Sequence, residues 1–140
     1  MRYKIMKKIV FAIATSILVV SIPFISLAHE IQEPNVEIHF AWFHWGIVII
    51  IFNGEDASLH NVFIQSLDIA GLIFLGANWL DYLPEVGSYS VAYLIIPVYG
   101  LGHAVVTATI SYEYKGETYE KTIHGFFLVL GTTTILLEEW

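Results

Sequence analysis

Apolar and polar side chains alternate with a period of two along residues 104–114, the most regular stretch of the sequence. This pattern is typical of a β-strand with one face in a core and the other in solvent. Lys115-Gly116-Glu117 follows with turn chemistry, and residues 118–124 resume a β-branched and aromatic run. The two segments therefore predict a β-hairpin.

Shorter apolar runs, separated by glycine and acidic turns, fill the rest of the chain. They cover residues 36–42, 45–53, 59–66, 69–75, 88–98 and 126–137. Asn53-Gly54-Glu55-Asp56 and Tyr99-Gly100-Leu101-Gly102 have turn-like composition, and Pro97 suits an edge strand or a strand end. About seven to eight short strands with regularly spaced turns predict an all-β sandwich.

Two segments, residues 47–52 and 126–137, are apolar beyond what simple alternation requires. One hypothesis is that they pair with another copy or with a neighbouring protein through an open strand edge. The other is that they are central strands covered on both faces. The sequence leaves both hypotheses open.

The high mean hydropathy of +0.68 supports an alternative class, a small polytopic membrane protein. Residues 88–110 carry no Asp, Glu, Lys or Arg and are long enough to span a bilayer. Against this class, the apolar runs are rich in β-branched and aromatic residues, and few basic residues flank them. The sandwich is the favoured prediction.

The N-terminus has the order of a secretory signal peptide: a basic stretch, the apolar run 9–25, and the small-residue site Ser26-Leu27-Ala28. We expect residues 1–28 to be a signal helix and residues 29–140 to form a single domain. The alternative is an uncleaved anchor, since residues 9–28 approach the length of a spanning helix. Either outcome places the domain in an extracellular or cell-surface setting.

Removal of the signal would leave two lysines against 13 acidic residues, a formal charge of −11. This charge argues against nucleic acid as a partner and opposes anionic lipid headgroups. A membrane contact is therefore expected only through the signal segment, if that segment is uncleaved. The chain has no cysteine, so thiol chemistry is excluded and stability must come from apolar burial.

Four short motifs carry a resemblance to a known group of domains. They are Leu59-His60-Asn61-Val62, Gly71-Leu72-Ile73-Phe74-Leu75-Gly76, residues 100–108 and residues 125–130. The chain resembles prokaryotic, archaeal-type secreted immunoglobulin-like modules, of the fibronectin-III-like and bacterial cell-adhesion-related kind. The resemblance implies a spacer, adhesion or surface-assembly role without an enzymatic site. The segment 83–87 departs from the turn expected there.

Histidine is the residue type in this sequence with the clearest potential for metal binding. Cleavage would make His29 the N-terminal residue, and its amine and ring nitrogens suit Cu(II) if His103 or His124 completes the site. Such N-terminal copper sites occur on other immunoglobulin-like sandwiches. No metal-ligand spacing links the histidines, and no nucleophile motif is present, so we expect neither a cofactor nor an enzyme. Copper binding stays an alternative function.

Aromatic residues are dense, and most of them are expected in the core. Trp42 keeps the inward phase of the first strand, which predicts that it is buried. Trp79 and Tyr82 follow a turn and are the interface candidates. The sequence favours a non-enzymatic module that binds, adheres or assembles, with an extracellular protein or another copy as its partner.

The N-terminal pattern generates a first prediction. N-terminal sequencing of the exported protein should begin at His29, because Ser26 and Ala28 meet the small-residue requirement of signal peptidase. Recovery of an intact Met1 in the membrane fraction would instead show that the segment is kept as an anchor.

Overall fold

Nine β-strands are formed by the described residues, which are 32–75 and 81–140 of the computed structural model. The strands are β1 (Val36–Phe43), β2 (Gly46–Asn53), β3 (Leu59–Ala70), β4 (Ile73–Leu75), β5 (Tyr82–Val86), β6 (Val91–Ile96), β7 (Val98–Tyr114), β8 (Glu117–Gly131) and β9 (Thr133–Glu139). They belong to the unit Pro34–Trp140. The expected signal segment, the cleavage site after Ala28, His29 and Trp79 lie outside the described residues.

The strands form two antiparallel sheets that enclose one core. The small sheet has the order β1-β2-β6, and the large sheet has the order β5-β3-β7-β8-β9, with β4 pairing to β7. Both sheets contribute buried side chains to the same apolar cluster. The prediction of an all-β, immunoglobulin-like sandwich is confirmed.

An aromatic contact joins the two sheets within the core. Phe40 of the small sheet meets Phe127 of the large sheet edge to face, with ring centroids 5.3 Å apart. Gly125 makes room for this contact, because a Cβ there would lie 2.7 Å from the Phe40 ring. Other large side chains that are fully buried in the core include Tyr112, Ile47, Ile49, Ile51, Leu59, Leu94, Ile96 and Ile110.

The hairpin predicted from alternation is confirmed and is longer than expected. β7 and β8 pair from Tyr114 and Glu117 at the turn to Gly100 and Gly131 at the other end. The even-numbered residues of β7 from 104 to 114 face the core, whereas Thr107 and its odd-numbered neighbours face outward. The period-two pattern therefore identified the correct buried face.

The predicted turn at Tyr99-Gly100-Leu101-Gly102 is wrong. The chain leaves β6 at Pro97, and this tetrapeptide belongs to the first part of β7. Gly100 is required there for close packing rather than for a turn, because a Cβ would collide with the backbone carbonyl of Leu72. The predicted runs 59–66 and 69–75 also divide differently, since β3 continues to Ala70 through two bulges.

The two segments with excess apolar residues differ in their place in the sheets. Residues 47–52 belong to β2, which is central because it pairs with β1 and β6. Residues 126–131 belong to β8, which is central between β7 and β9, whereas residues 133–137 belong to β9, an edge of the large sheet. In β2, Ile47, Ile49 and Ile51 face the core, while Val48, Ile50 and Phe52 face away from it. No described strand covers this outer face, so each of the two hypotheses is only partly correct.

The chain segment that favoured a membrane helix is β-structure. The described residues contain no helix long and apolar enough to cross a membrane. Residues 88–110, the longest uncharged run, contain β6 and the first part of β7.

A buried amide joins the small sheet to the loops at one end. Asn53 is fully buried, and its Nδ2 donates to the carbonyl oxygens of Ala57 and Gly87, both at 2.9 Å. Its Oδ1 accepts from the backbone N–H of Glu55 at 3.0 Å. One side chain therefore satisfies three backbone groups, which stabilises the loop after β2.

Replacement of this amide gives a stability prediction. Asn53→Ala should lower the free energy of unfolding by about 3 kcal/mol, because buried backbone groups lose their partners. Ser66→Ala, on the exposed face of β3, is the control and should change it by less than about 0.5 kcal/mol. Urea denaturation followed by tryptophan fluorescence measures both, and equal effects would contradict the role of Asn53.

Candidate interaction surface

Charged side chains concentrate at one end of the sandwich, which we call the acidic end. It contains the loop 54–58 between β2 and β3 and the β7–β8 turn at Lys115-Gly116. Tyr114 Oη donates to Glu55 Oε2 at 2.9 Å, and Lys115 Nζ lies 3.4 Å from Asp56 Oδ1. These contacts show that the loop and the turn meet at the same end.

Glu55 is held in its ionised form by the hydrogen bonds that it accepts. The backbone N–H of Asn35 donates to Oε1 at 2.6 Å, and this bond is the main reason that the pKa of Glu55 lies below its ordinary value. The Tyr114 hydroxyl acts in the same direction. The adjacent Asp56 charge opposes the shift with a smaller effect.

The opposite end of the sandwich, which we call the aromatic end, is formed by turns of both sheets. The β1–β2 turn at His44-Trp45 meets the start of β9, where Thr134 Oγ1 donates to the Gly46 carbonyl at 2.6 Å. Pro97 alone separates the end of β6 from the start of β7. The β8–β9 turn follows Gly131, which pairs with Gly100 near that start.

Large apolar side chains are exposed at the aromatic end. They are between 47% and 74% exposed, whereas Phe40 nearby is 4% exposed. The exposed set is Trp42, Phe43, Trp45, Leu72, Phe74, Tyr99, Leu101 and Leu130. Large exposed apolar surfaces are uncommon on monomers and mark interaction sites.

No charged side chain interrupts the aromatic end. Asp, Glu, Lys and Arg are absent from residues 38–54, 69–75, 86–112 and 122–137, which supply its strands and turns. Asp68 and Glu139 are among the charged residues that border these segments. Glu139, the last residue of β9, lies beside β1 and away from the aromatic end. Its Oε2 accepts a hydrogen bond from the backbone N–H of Phe40 at 3.0 Å.

Two shallow grooves lie at this end. The first has a volume of about 330 Å³, and its walls are almost wholly apolar. Its lining residues are Ala41, Trp42, Phe43, Val48, Ile50, Tyr93 and Ile95. The second, of about 320 Å³, lies on the large sheet. It is lined by Leu72, Phe74, Tyr99, Gly100, Leu101 and Gly131.

The interface candidates named from the sequence lie elsewhere or outside the described residues. Tyr82 is 46% exposed on the edge strand β5, and its hydroxyl donates to Asn61 Oδ1 at 3.0 Å. Trp79 is outside the described residues. The structure therefore adds a larger aromatic surface that the sequence reasoning did not select.

The expectation that Trp42 is buried is wrong. Trp42 pairs with Ile47 and continues the inward phase of β1, yet it is 60% exposed. The alternation along a strand determines only which face of the sheet a side chain is on. A side chain is buried only if another element also covers that face. The sequence signal that was missed is the absence of polar turn residues in Trp42-Phe43-His44-Trp45.

His103 and His124 share the outer face of the large sheet but are not adjacent. His103 pairs with Leu128 and His124 with Thr107, an offset of four residues or about 13 Å. Metal–imidazole bonds of about 2 Å do not bridge that gap, so this pair does not form one site. His103 stacks on Phe126, and His124 stacks on Trp140. Within the described residues, no three His, Asp or Glu side chains form a potential metal site.

Comparison with known proteins returns one weak structural likeness. No protein-family model matches the chain, and no curated protein matches it. The chain is similar to the crystal structure of the GAE domain of GGA2p from Saccharomyces cerevisiae, with 17% sequence identity and a TM-score of 0.42. The match covers 71% of this chain and 94% of that chain. A likeness of this size carries no argument about function.

The Glu55 contacts generate a pH prediction. A carboxylate whose pKa is lowered by folding stabilises the fold above its ordinary value of 4.5, and this contribution disappears as the pH falls through the lowered value. Glu55→Gln should therefore destabilise the protein at neutral pH, with the difference from wild type shrinking in acid. Tyr114→Phe, which removes one of the two donors, should show a smaller difference of the same sign. Denaturant unfolding across pH measures both, and a pH-independent difference would contradict the assignment.

Proposed function

We propose that this chain is a non-enzymatic binding or assembly module of the cell surface or extracellular space, with the aromatic end as its working surface. The signal-like N-terminus supports the location, and the resemblance to secreted immunoglobulin-like modules supports the role. The partner class is an extracellular or cell-surface protein, or another copy of the chain.

One observation carries this proposal. The exposed apolar side chains of the aromatic end come from both sheets, and no charged residue lies among them. Exposure of a tryptophan such as Trp45, at 72%, leaves a large apolar area in water. Burial of that area against a partner is favourable by about 25 cal/mol per Å².

The edges of the sheets offer a more limited surface than the aromatic end. Part of the β1 edge is occupied, because Glu139 accepts the backbone N–H of Phe40. The β5 edge contains Pro84, which cannot donate a hydrogen bond to an added strand. Among the described strands, β4, β6 and β9 are the remaining edges for pairing with another chain. Strand addition there would be a second use of the module.

Light scattering after size-exclusion chromatography tests the working surface. Residues 29–140 should associate reversibly with increasing concentration, because the aromatic end removes its apolar area from water by self-contact. Trp45→Asp should raise the concentration needed for association at least about tenfold, equivalent to about 1.4 kcal/mol.

Tyr89→Asp is the matched control, because Tyr89 is 69% exposed between β5 and β6, beside the acidic end. This substitution should leave association unchanged. Equal effects of the two substitutions, or a monomer at every accessible concentration that also binds no cell-surface material, would refute the proposal.

A further inference from the structure

We propose that the occupant of the aromatic end is a lipid bilayer with neutral headgroups, into whose interface the turns of this end insert. The inference rests on the proposed function for the working surface, and it replaces the protein partner named there with a lipid surface. It is carried by the side-chain chemistry of the end and by the positions of Glu139 and Asp68.

The exposed side chains match the chemistry of a bilayer interface. Trp42, Trp45 and Tyr99 each combine an apolar ring with one hydrogen-bonding group, the composition that is enriched where headgroups meet acyl chains. Leu72 and Phe74 are wholly apolar and are 74% and 69% exposed. Together these residues provide an apolar tip with polar atoms only at the rings.

The positions of the charged residues allow insertion without burying a charge. Glu139 contacts β1 at Phe40, three residues from the end of this strand at Phe43, which corresponds to about 10 Å along the strand. Asp68 pairs with Thr107, six residues from Leu101, or about 20 Å along β7. Interfacial elements insert only about 5–10 Å, so both carboxylates remain in water.

The charge distribution also selects neutral headgroups. The acidic end carries Glu55, Asp56 and Glu117, and it lies farthest from the inserted turns. The negative field of these residues opposes approach to an anionic surface. A neutral bilayer avoids this repulsion, and the acidic end then points away from it.

A second copy fits the same surface less well. The outer face of the small sheet, three strands wide and about six residues long, presents only about 300 Å². A stable protein interface needs about 800 Å² from each partner and about one hydrogen bond per 100–200 Å². The aromatic end offers few hydrogen-bonding groups, and its side chains project from separate turns. A fluid bilayer can adapt its surface to side chains that project from separate turns. We therefore expect association between two copies in water to be weaker than binding to a bilayer.

Depth-dependent fluorescence quenching in the full chain tests this inference. A variant that keeps Trp45 as its one tryptophan is mixed with phosphatidylcholine vesicles that carry brominated acyl chains. We expect strong quenching of Trp45. A Tyr89→Trp probe in a tryptophan-free background should remain unquenched, because position 89 lies beside the acidic end. Both chains contain residues 1–31, so attachment through that segment affects them equally.

Two further variants guard the result against misfolding and against non-specific adsorption. A Phe74→Trp probe reports the same end from the large sheet, and far-UV circular dichroism checks each variant. Trp45→Asp is made in a truncated chain of residues 29–140 that keeps its other tryptophans. The substitution should weaken partitioning of this chain into vesicles at least about tenfold, since a carboxylate is costly in the interface. An equal mixture with phosphatidylglycerol should bind less than phosphatidylcholine alone.

The outcomes separate the two proposals. Absence of quenching at positions 45 and 74, or equal quenching at position 89, overturns lipid docking. If association measured by light scattering still depends on Trp45, the aromatic end remains a binding surface, with a protein or another copy as its occupant. If neither lipid binding nor self-association involves Trp45 and the protein also binds no cell-surface material, the proposed function fails as well.

Discussion

Contact between Phe40 and Phe127 across the two sheets is the interaction on which the rest of the sandwich depends. Without cysteine, the chain relies on apolar burial, and this edge-to-face pair is part of that burial. Gly125 permits the approach, since any side chain at that position would displace the two rings. The pair holds the two sheets together, and their strands extend beyond it in both directions.

The two ends that extend from this centre differ in what stabilises them. At the acidic end, polar contacts replace apolar packing: Asn53 satisfies three backbone groups, and Glu55 accepts hydrogen bonds from Asn35 and Tyr114. At the aromatic end, Thr134 fixes the β1–β2 turn through the Gly46 carbonyl, but the ring of Trp45 has no cover. The first end is closed by polar contacts, and the second leaves large apolar side chains exposed.

The difference between the acidic end and the aromatic end would orient the protein at a lipid surface. A sandwich with a charge-free end and a strongly acidic opposite end has a preferred orientation at a neutral bilayer, because insertion and hydration favour the same arrangement. The β7–β8 hairpin extends from the acidic end to the aromatic end, and its strands pair from Tyr114 and Glu117 to Gly100 and Gly131. The hairpin therefore carries Tyr99 and Leu130 near one end and Glu117 near the other.

The period of two in residues 104–114, the turn at Lys115-Gly116 and the absence of cysteine were enough to predict a sandwich stabilised by its core. Local alternation determines these features, because the pleat alone decides which face a side chain takes. Sequence could not decide whether a face is covered. Trp42 has the inward phase of β1 and Ile50 is as apolar as its buried neighbours, yet no described strand covers either of them.

The same limit applies to distances between residues of different strands. His103 and His124 could be named as alternative partners for His29, and only the β7–β8 register showed that they lie four positions apart. His29 lies outside the described residues, so the copper hypothesis stays a prediction. Gly100 was predicted to lie in a turn. In the structure it is a strand residue whose missing side chain allows the backbone carbonyl of Leu72 to pack close to it. The sequence by itself determined the strand content, the inward face of the hairpin and the charge of the chain. Only the tertiary structure decided that the charges gather at one end and the uncovered aromatic rings at the other, because both depend on which strand ends the packing of the two sheets brings together.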